Sequence, residues 1–187
     1  MHRLAWVAIV SFLPIIGCAP TTPFPPKVME KVAPTFDFDA WKESSPTNVH
    51  GKSDSGTKVE LGGRIVQVNP STKGMLIVAE QLPIAKRPVY GPTDAGKRTG
   101  VFEFALEYPE ELPPGALQFG NRFVVVGTTH GRKTVVVDGA SKSEPFLVAD
   151  CIHVWQTGRS EIASFKEDVG AGFSSLPEQT YCAQPKK

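Results

Sequence analysis

The chain has 187 residues, of which 41% are hydrophobic, and its 20 Lys and Arg residues nearly balance its 19 Asp and Glu residues. This length suffices for one domain with a buried core and is short for two. Because nucleic-acid binding depends on clustered positive charge, the near-neutral balance argues against a nucleic-acid partner.

The N-terminus has the features of a bacterial lipoprotein signal peptide. Met1-His2-Arg3 precedes a largely apolar stretch, 4–16, which is shorter than the about 20 residues that a membrane helix needs. Gly17 then places a small residue before Cys18, whose thiol can accept a diacylglycerol thioether. We predict that residues 1–17 are removed and that Cys18 becomes the first residue of the mature chain. The alternative is a chance thiol behind an ordinary secretory signal.

The predicted lipid anchor determines the location of the protein. Two or three acyl chains hold a protein stably at a bilayer that no segment of it spans. Ala19 and Pro20 follow the cysteine, so the Asp that retains enterobacterial lipoproteins at the inner membrane is absent there. We expect an outer-membrane lipoprotein that carries palmitate at Cys18 and faces the periplasm. Membrane lipid is then its first partner.

The other two cysteines form an even pair in an oxidising compartment. A disulfide between Cys151 and Cys182 would close a loop of about 30 residues and stabilise the fold by roughly 3 kcal/mol. It would attach a polar, irregular C-terminal tail, residues 158–187, to the domain. The alternative is a buried Cys151 and a free thiol at Cys182. No Cys/His spacing typical of zinc occurs, so we expect no metal and no cofactor.

Between the lipid and the domain, residues 18–34 contain five prolines. This composition predicts an extended tether, since proline-rich chain spans about 3.1 Å per residue and could hold the domain up to roughly 50 Å from the lipid. A turn of helix is possible within 27–32, with Pro26 at its first position. The predicted domain covers residues 35–157, and we expect residues 35–42 to pack against it as a strand or a helical turn.

The domain itself shows the pattern of a β protein, because short apolar runs alternate with Gly, Pro, Asn and Ser. The inward-facing residues change parity between Ile65 and Val66, which predicts a bend or bulge around Gly62-Gly63. A further turn is predicted near His130-Gly131, with 134–137 as the returning partner. The five predicted strands are 58–68, 75–82, 101–106, 122–129 and 146–155.

Five principal strands in about 100 residues favour a small all-β fold. We predict a five-stranded antiparallel barrel of the OB-like type, with a β-sandwich as the alternative. The strands are too few for a transmembrane barrel and lack its lipid-facing alternation.

Six segments of the chain carry a family pattern: Pro25–Val32, Glu60–Ile65, Glu80–Pro83, Gly100–Phe102, Asn121–Gly127 and Ile152–Trp155. Together they resemble the Slp family of outer-membrane lipoproteins. The resemblance spans roughly 25–155, while 143–147 and the region beyond Gln156 depart from the family pattern. It implies an envelope lipoprotein associated with starvation or stress and without an established catalytic activity.

The sequence lacks the motifs of a catalytic site. The histidines of the predicted mature chain, His50, His130 and His153, lie in different regions and outside any metalloprotease or hydrolase motif. Cys151, His153 and Trp155 share one strand parity and could form a stripe, whereas Asp150 would point to the other face. We therefore expect no catalytic residues and no enzyme.

Three functions remain open at this stage. The favoured one is a non-catalytic structural or interaction module of the envelope, with a protein or glycan partner. The second is a module that binds a glycan or lipid fragment with its loops, for example 84–99, and the third is an enzyme. A deep pocket with convergent polar groups would favour the second, and a tight His/Asp/Glu cluster would favour the third.

Overall fold

A computed structural model describes residues 22–43, 56–87, 89–97, 99–100, 102–113, 115–165 and 176–184. Short helices α1 (Pro26–Met29) and α2 (Phe38–Glu43) precede the sheet, and a 3₁₀ turn (Ile162–Phe165) follows its main part. Within these ranges the structure has eight strands: β1 (Lys58–Ser71), β2 (Gly74–Leu82), β3 (Ile84–Ala85), β4 (Gly91–Pro92), β5 (Glu103–Tyr108), β6 (Arg122–Val137), β7 (Ala140–Trp155) and β8 (Glu178–Cys182).

Five strands close a ring of hydrogen bonds. β1 pairs with β2 and β6, β2 pairs with β5, and β6 pairs with β7, all antiparallel. The ring closes between β5 and β7, which run parallel where Ala105–Glu107 face Phe146–Val148. The predicted all-β fold with five principal strands is confirmed. The parallel closing pair is the one departure from an antiparallel arrangement, and it gives the ring the strand order of the predicted OB-like type.

The interior of the ring is apolar because strand residues of one parity face inward. Val59, Leu61 and Ile65 of β1 are at most 5% exposed and belong to one cluster. Phe104 and Phe123 meet inside that cluster with ring centroids 6.2 Å apart. Helix α2 covers the cluster, since Phe38 packs edge-on against Phe104.

The bulge in β1 lies a few residues beyond the predicted position. The register of β1 against β2 shifts between Ile65 and Gln67, so the chain continues as a regular strand through Gly62-Gly63. The shift falls where the inward parity changes, because one extra residue exchanges the faces of all that follow. The glycines serve close packing instead: a Cβ on Gly63 would lie 2.8 Å from the Phe123 ring.

The predicted turn at His130-Gly131 is wrong. β6 runs through this point with a register shift between His130 and Arg132, and it ends at Val137, which pairs with Ala140. The turn is Asp138-Gly139, where both residues have positive φ, 51° and 78°. Asp-Gly is a favoured pair for a two-residue hairpin turn of this kind. Residues 134–137 are therefore the end of β6, and their partner is the start of β7.

Residues 22–34 and strand β8 lie against the ring, in segments where the sequence predicted an extended tether and an irregular tail. Phe24 is 4% exposed within a second apolar cluster that includes Trp155 and Ile162. The backbone N–H of Ala33 donates to the Lys58 carbonyl at 2.8 Å. At the C-terminus, β8 pairs with residues 151–155 of β7. Apolar residues among the prolines, Phe24 above all, explain why residues 22–34 pack.

Replacing Gly139 by alanine tests the turn. Neither Gly139 nor Gly131 has a neighbour within 4 Å of a built Cβ, but only Gly139 has a positive φ. Gly139→Ala should therefore lower the free energy of unfolding by about 1 kcal/mol, the cost of a left-handed conformation for a residue with a Cβ. Urea denaturation measures this loss. Gly131→Ala is the matched control, and an equal loss in both variants would contradict the turn assignment.

Candidate functional site

A fully buried arginine organises one end of the ring. Arg122, at the start of β6, is 0% exposed. Its Nη2 donates to Asp94 Oδ2 at 2.7 Å and lies 3.1 Å from Glu161 Oε1. Its Nη1 and Nε donate to the carbonyls of Pro92 and Ser160, at 3.1 and 2.9 Å. One side chain thus fixes two separate loops, 83–97 and 157–162, against the end of the ring. We call Arg122 and these four contacts the Arg122 clamp.

The network continues through alternating charges. Arg64 Nη1 lies 3.7 Å from Asp94 Oδ1, and Arg64 and Lys97 both donate to Glu80. Burial raises the pKa of Glu80, but hydrogen bonds from Lys97 and Arg64 together hold it below its ordinary value. The pKa of Asp94 is held low against its burial in the same way, by Arg122. Both carboxylates therefore have cation partners, which suits a structural role for the network.

An apolar cleft of about 200 Å³ opens beside this clamp. One wall comes from the loop around β3 and β4, and the other from the 3₁₀ turn that contains Ile162. Apart from Arg87, Thr93 and Glu161, the lining residues are apolar or glycine. The loop 84–99, which the sequence marked as a candidate for ligand binding, therefore contributes to a cleft.

A second, more polar cleft of about 370 Å³ lies on the other side of the clamp. Arg64 and Glu80 line it together with Phe119, which is 57% exposed. The Arg159 guanidinium lies 4.9 Å from the centre of the Phe119 ring, a cation–π contact. Arg64 and Glu80 already pair with each other within the network, and Arg159 lies over the aromatic ring.

On β7, His153 links the C-terminal strand to the N-terminal segment. Its Nδ1 lies 2.7 Å from the Thr180 hydroxyl, which donates to the Pro23 carbonyl at 3.2 Å. His153 Nε2 has no hydrogen-bond partner and lies 3.7 Å from Glu178 Oε2. Burial lowers the pKa of His153, and Glu178 opposes this shift only in part. The imidazole is therefore neutral and largely enclosed, and it connects β7 to β8 through Thr180.

The structure brings together the two cysteines that the sequence paired. Cys151 and Cys182 are register partners in β7 and β8, with Cα atoms 4.0 Å and sulfur atoms 2.01 Å apart. Cys151, His153 and Trp155 are all buried, beneath β8 and the N-terminal segment. Asp150 lies apart from them and pairs with Lys58 at 3.1 Å.

The predicted lipid attachment site and one histidine lie outside the described residues, namely Cys18 and His50. His130 is exposed on β6, eight residues after Arg122. Within the described residues, no group of three or more His, Cys, Asp or Glu side chains is placed to hold a metal ion. In the same part of the chain, no helix has the length and apolarity to cross a membrane.

Sequence reasoning missed the role of Arg122, although it placed a strand there. The only available signal is an arginine at the first position of an otherwise apolar run, Arg122–Val126. An isolated cation in such a run indicates a paired, buried charge, but it does not identify the acids, which come from loops 28 and 39 residues away along the chain.

The protein is an all-β ring protein with a packed N-terminal segment and an added C-terminal strand. Sequence comparison gives its family. Residues 15–181 match the sequence model of the family described as "Outer membrane lipoprotein Slp family". The chain therefore belongs to the Slp family of outer-membrane lipoproteins, as the resemblance indicated. No curated protein and no solved structure matches the chain.

Substitution of Arg122 tests the clamp. Arg122→Met should lower the free energy of unfolding by about 3 kcal/mol, because it leaves buried carbonyl acceptors without donors and removes the nearest cation from Asp94 and Glu161. Lys58→Met is the matched control, since it removes the partly exposed pair with Asp150 and should cost less than about 1 kcal/mol. Urea denaturation of both variants gives the comparison. Similar losses would show that Arg122 is no clamp.

The enclosed histidine predicts a pH dependence of stability. Its folded pKa lies below its ordinary value of 6.5, so below that pH the unfolded chain binds a proton that the folded chain does not. The melting temperature should therefore fall as the pH decreases from about 6.5 towards the folded pKa of His153. His153→Gln should reduce this fall, whereas the exposed-site variant His130→Gln retains it. Identical pH profiles for His153→Gln and the unsubstituted chain would contradict the assignment.

Proposed function

We propose that this family member is anchored to the outer membrane by an acylated Cys18 and that its ring is a non-catalytic interaction module in the periplasm. The family assignment over residues 15–181 is the single observation that carries the proposal. The sequence around Gly17-Cys18 supports the attachment site. The stress- or starvation-linked role implied by the family resemblance is part of the same proposal.

The packed N-terminal segment supports a position close to the membrane. Phe24 is already buried against the ring, six positions after Cys18. Six residues span at most about 20 Å, so the domain would lie much nearer to the lipid than the roughly 50 Å of a fully extended tether. The proline-containing segment 22–34 would then pack against the ring instead of acting as a spacer.

The polar groups of the structure support a non-catalytic role. The carboxylates Glu80, Asp94 and Glu161 pair with Arg64, Lys97 or Arg122, and His153 is enclosed. A general acid or base needs an accessible group within reach of a substrate proton. These groups instead connect loops and strands to one another.

We also propose that Cys151 and Cys182 form a disulfide in the exported protein. It would hold β8 on β7 next to the His153–Thr180 contact. The C-terminal segment would then be fixed twice, by a covalent link and by strand pairing.

A second candidate function is the binding of a small envelope ligand by the loop 84–99. The observation that favours it is the apolar cleft between this loop and Ile162. The two candidates are compatible, because an anchored module can also hold a ligand.

Mass measurement of the native membrane-extracted protein tests the anchor and the disulfide together. We expect a chain that begins at Cys18, carries acyl groups, and has lost two hydrogens relative to the reduced form. Metabolic labelling with palmitate should mark this protein. The Cys18→Ser variant should take up no label and should keep its signal segment.

The pair Cys18→Ser and Cys182→Ser separates the two claims. Cys182→Ser should be labelled normally and should lose only the two-hydrogen difference. A native protein that retains residues 1–17 would overturn the lipoprotein proposal, whereas two free thiols would overturn the disulfide alone.

A further inference from the structure

The geometry points to a specific ligand class for the apolar cleft: a single-chain fatty acid, with its alkyl chain between the loop 84–95 and the 3₁₀ turn and its carboxylate at Arg87. This inference rests on the second candidate function and names its ligand. It does not depend on acylation of Cys18.

Small residues keep the cleft open. Ala85, Ala95 and Ala163 line it, and Gly91 contributes only backbone. A Cβ on Gly91 would lie 2.6 Å from Ile162 Cδ1 and 3.4 Å from the Trp155 ring. The inner wall is thus made of hydrocarbon and backbone packed closely together, and Trp155 lies directly behind it.

The apolar wall is part of the main body of the protein. Ile162 is 5% exposed and belongs to the cluster that contains Phe24, Val124 and Trp155. Val89 packs against the same cluster from the other wall. An alkyl chain in the cleft would therefore extend an existing apolar surface and exclude water from it.

Charge at the rim selects the head group. Glu161 and Arg87 both line the cleft. Glu161 is already used, because it lies 3.1 Å from Arg122 Nη2 and accepts from the Asp94 N–H at 2.8 Å. Arg87 is exposed and pairs with no carboxylate among the residues that the structure describes. The unbalanced cation at this rim suits a carboxylate, which a guanidinium can bind with two parallel hydrogen bonds.

The size of the cleft favours a narrow ligand. Its volume of about 200 Å³ lies below the about 300–1,000 Å³ of sites for drug-sized molecules. A single alkyl chain fits such a space, whereas a sugar ring would present hydroxyl groups to an apolar wall.

The Arg122 clamp holds both walls in place before any ligand arrives. It binds the Pro92 carbonyl on one wall and the Ser160 carbonyl next to the other. A preformed cleft loses little conformational freedom on binding, so even a small apolar contact area can give measurable affinity.

Tryptophan quenching by a brominated fatty acid tests the proposal. The protein is the mature chain with Cys18→Ser and Trp41→Phe, exported by an exchanged secretory signal, so that Trp155 is its only tryptophan. 12-Bromododecanoate should quench Trp155 saturably. Shorter brominated acids should bind about fourfold more weakly per methylene removed, as long as the removed methylenes are buried.

Variants locate the site. Val89→Asp, which places a charge in the wall, and Ala163→Phe, which fills the space from an exposed position, should each weaken binding at least tenfold. Val136→Asp is the matched control, since Val136 is 54% exposed on the distant β6–β7 hairpin. Arg87→Gln should weaken binding of 12-bromododecanoate but leave that of the uncharged 12-bromododecanol unchanged.

Three results would overturn the inference. These are quenching that does not saturate, equal quenching of Trp41 in a Trp155→Phe chain, and unchanged binding in a folded Ala163→Phe variant. Saturable binding of chitotriose in place of the fatty acid would assign the cleft to a glycan. Because the assay uses a chain without an acylated cysteine, its failure leaves the palmitate-labelling result untouched.

Discussion

The fold depends on how β7 shares its hydrogen bonds. Every backbone N–H and C=O in a buried sheet needs a partner, and a closed ring satisfies this need for every strand. One edge of β7 pairs with β6 along its whole length, but the short β5 covers only residues 146–148 of the other edge. β8 pairs with residues 151–155 of that same edge. β8 is thus not a member of the five-strand ring, but it supplies the hydrogen-bond partners that β5 does not give to this edge of β7.

The same constraint brings residues 22–34 and β8 together on the ring. β8 brings Thr180 to His153, and the Thr180 hydroxyl reaches the Pro23 carbonyl. Phe24 then enters the apolar cluster with Trp155 and Ile162. The N-terminal segment 22–34, the C-terminal strand β8 and the 3₁₀ turn therefore meet at one end of the ring, next to the Arg122 clamp and its cleft. A ligand in that cleft would lie at the end of the ring that Phe24 covers.

Local pattern predicted the ring strands well and their connections less well. The alternation of Val59, Leu61 and Ile65 and the run Phe123–Val126 are local signals, and both strands lie where they indicate. The hairpin turn was misplaced because Gly131 resembles a turn residue, whereas the pair Asp138-Gly139 has the stronger turn chemistry. The clamp was not predictable, because Arg122 meets Asp94 and Glu161 only after the ring has closed. Pairs this distant in sequence leave no periodic pattern. The buried position of Phe24 was missed for another reason, because the prolines around it predict an extended chain.

The burial of Phe24 also bears on how this protein would meet its partners. If the lipid sits on Cys18, the few intervening residues keep the ring beside the bilayer and restrict its rotation, so that one end of it faces the headgroups. Encounters would then take place by lateral diffusion within the plane of the membrane, where two tethered proteins are confined to a thin layer. A weak contact suffices under such confinement, because the effective concentration of each protein near the other rises without any new interaction.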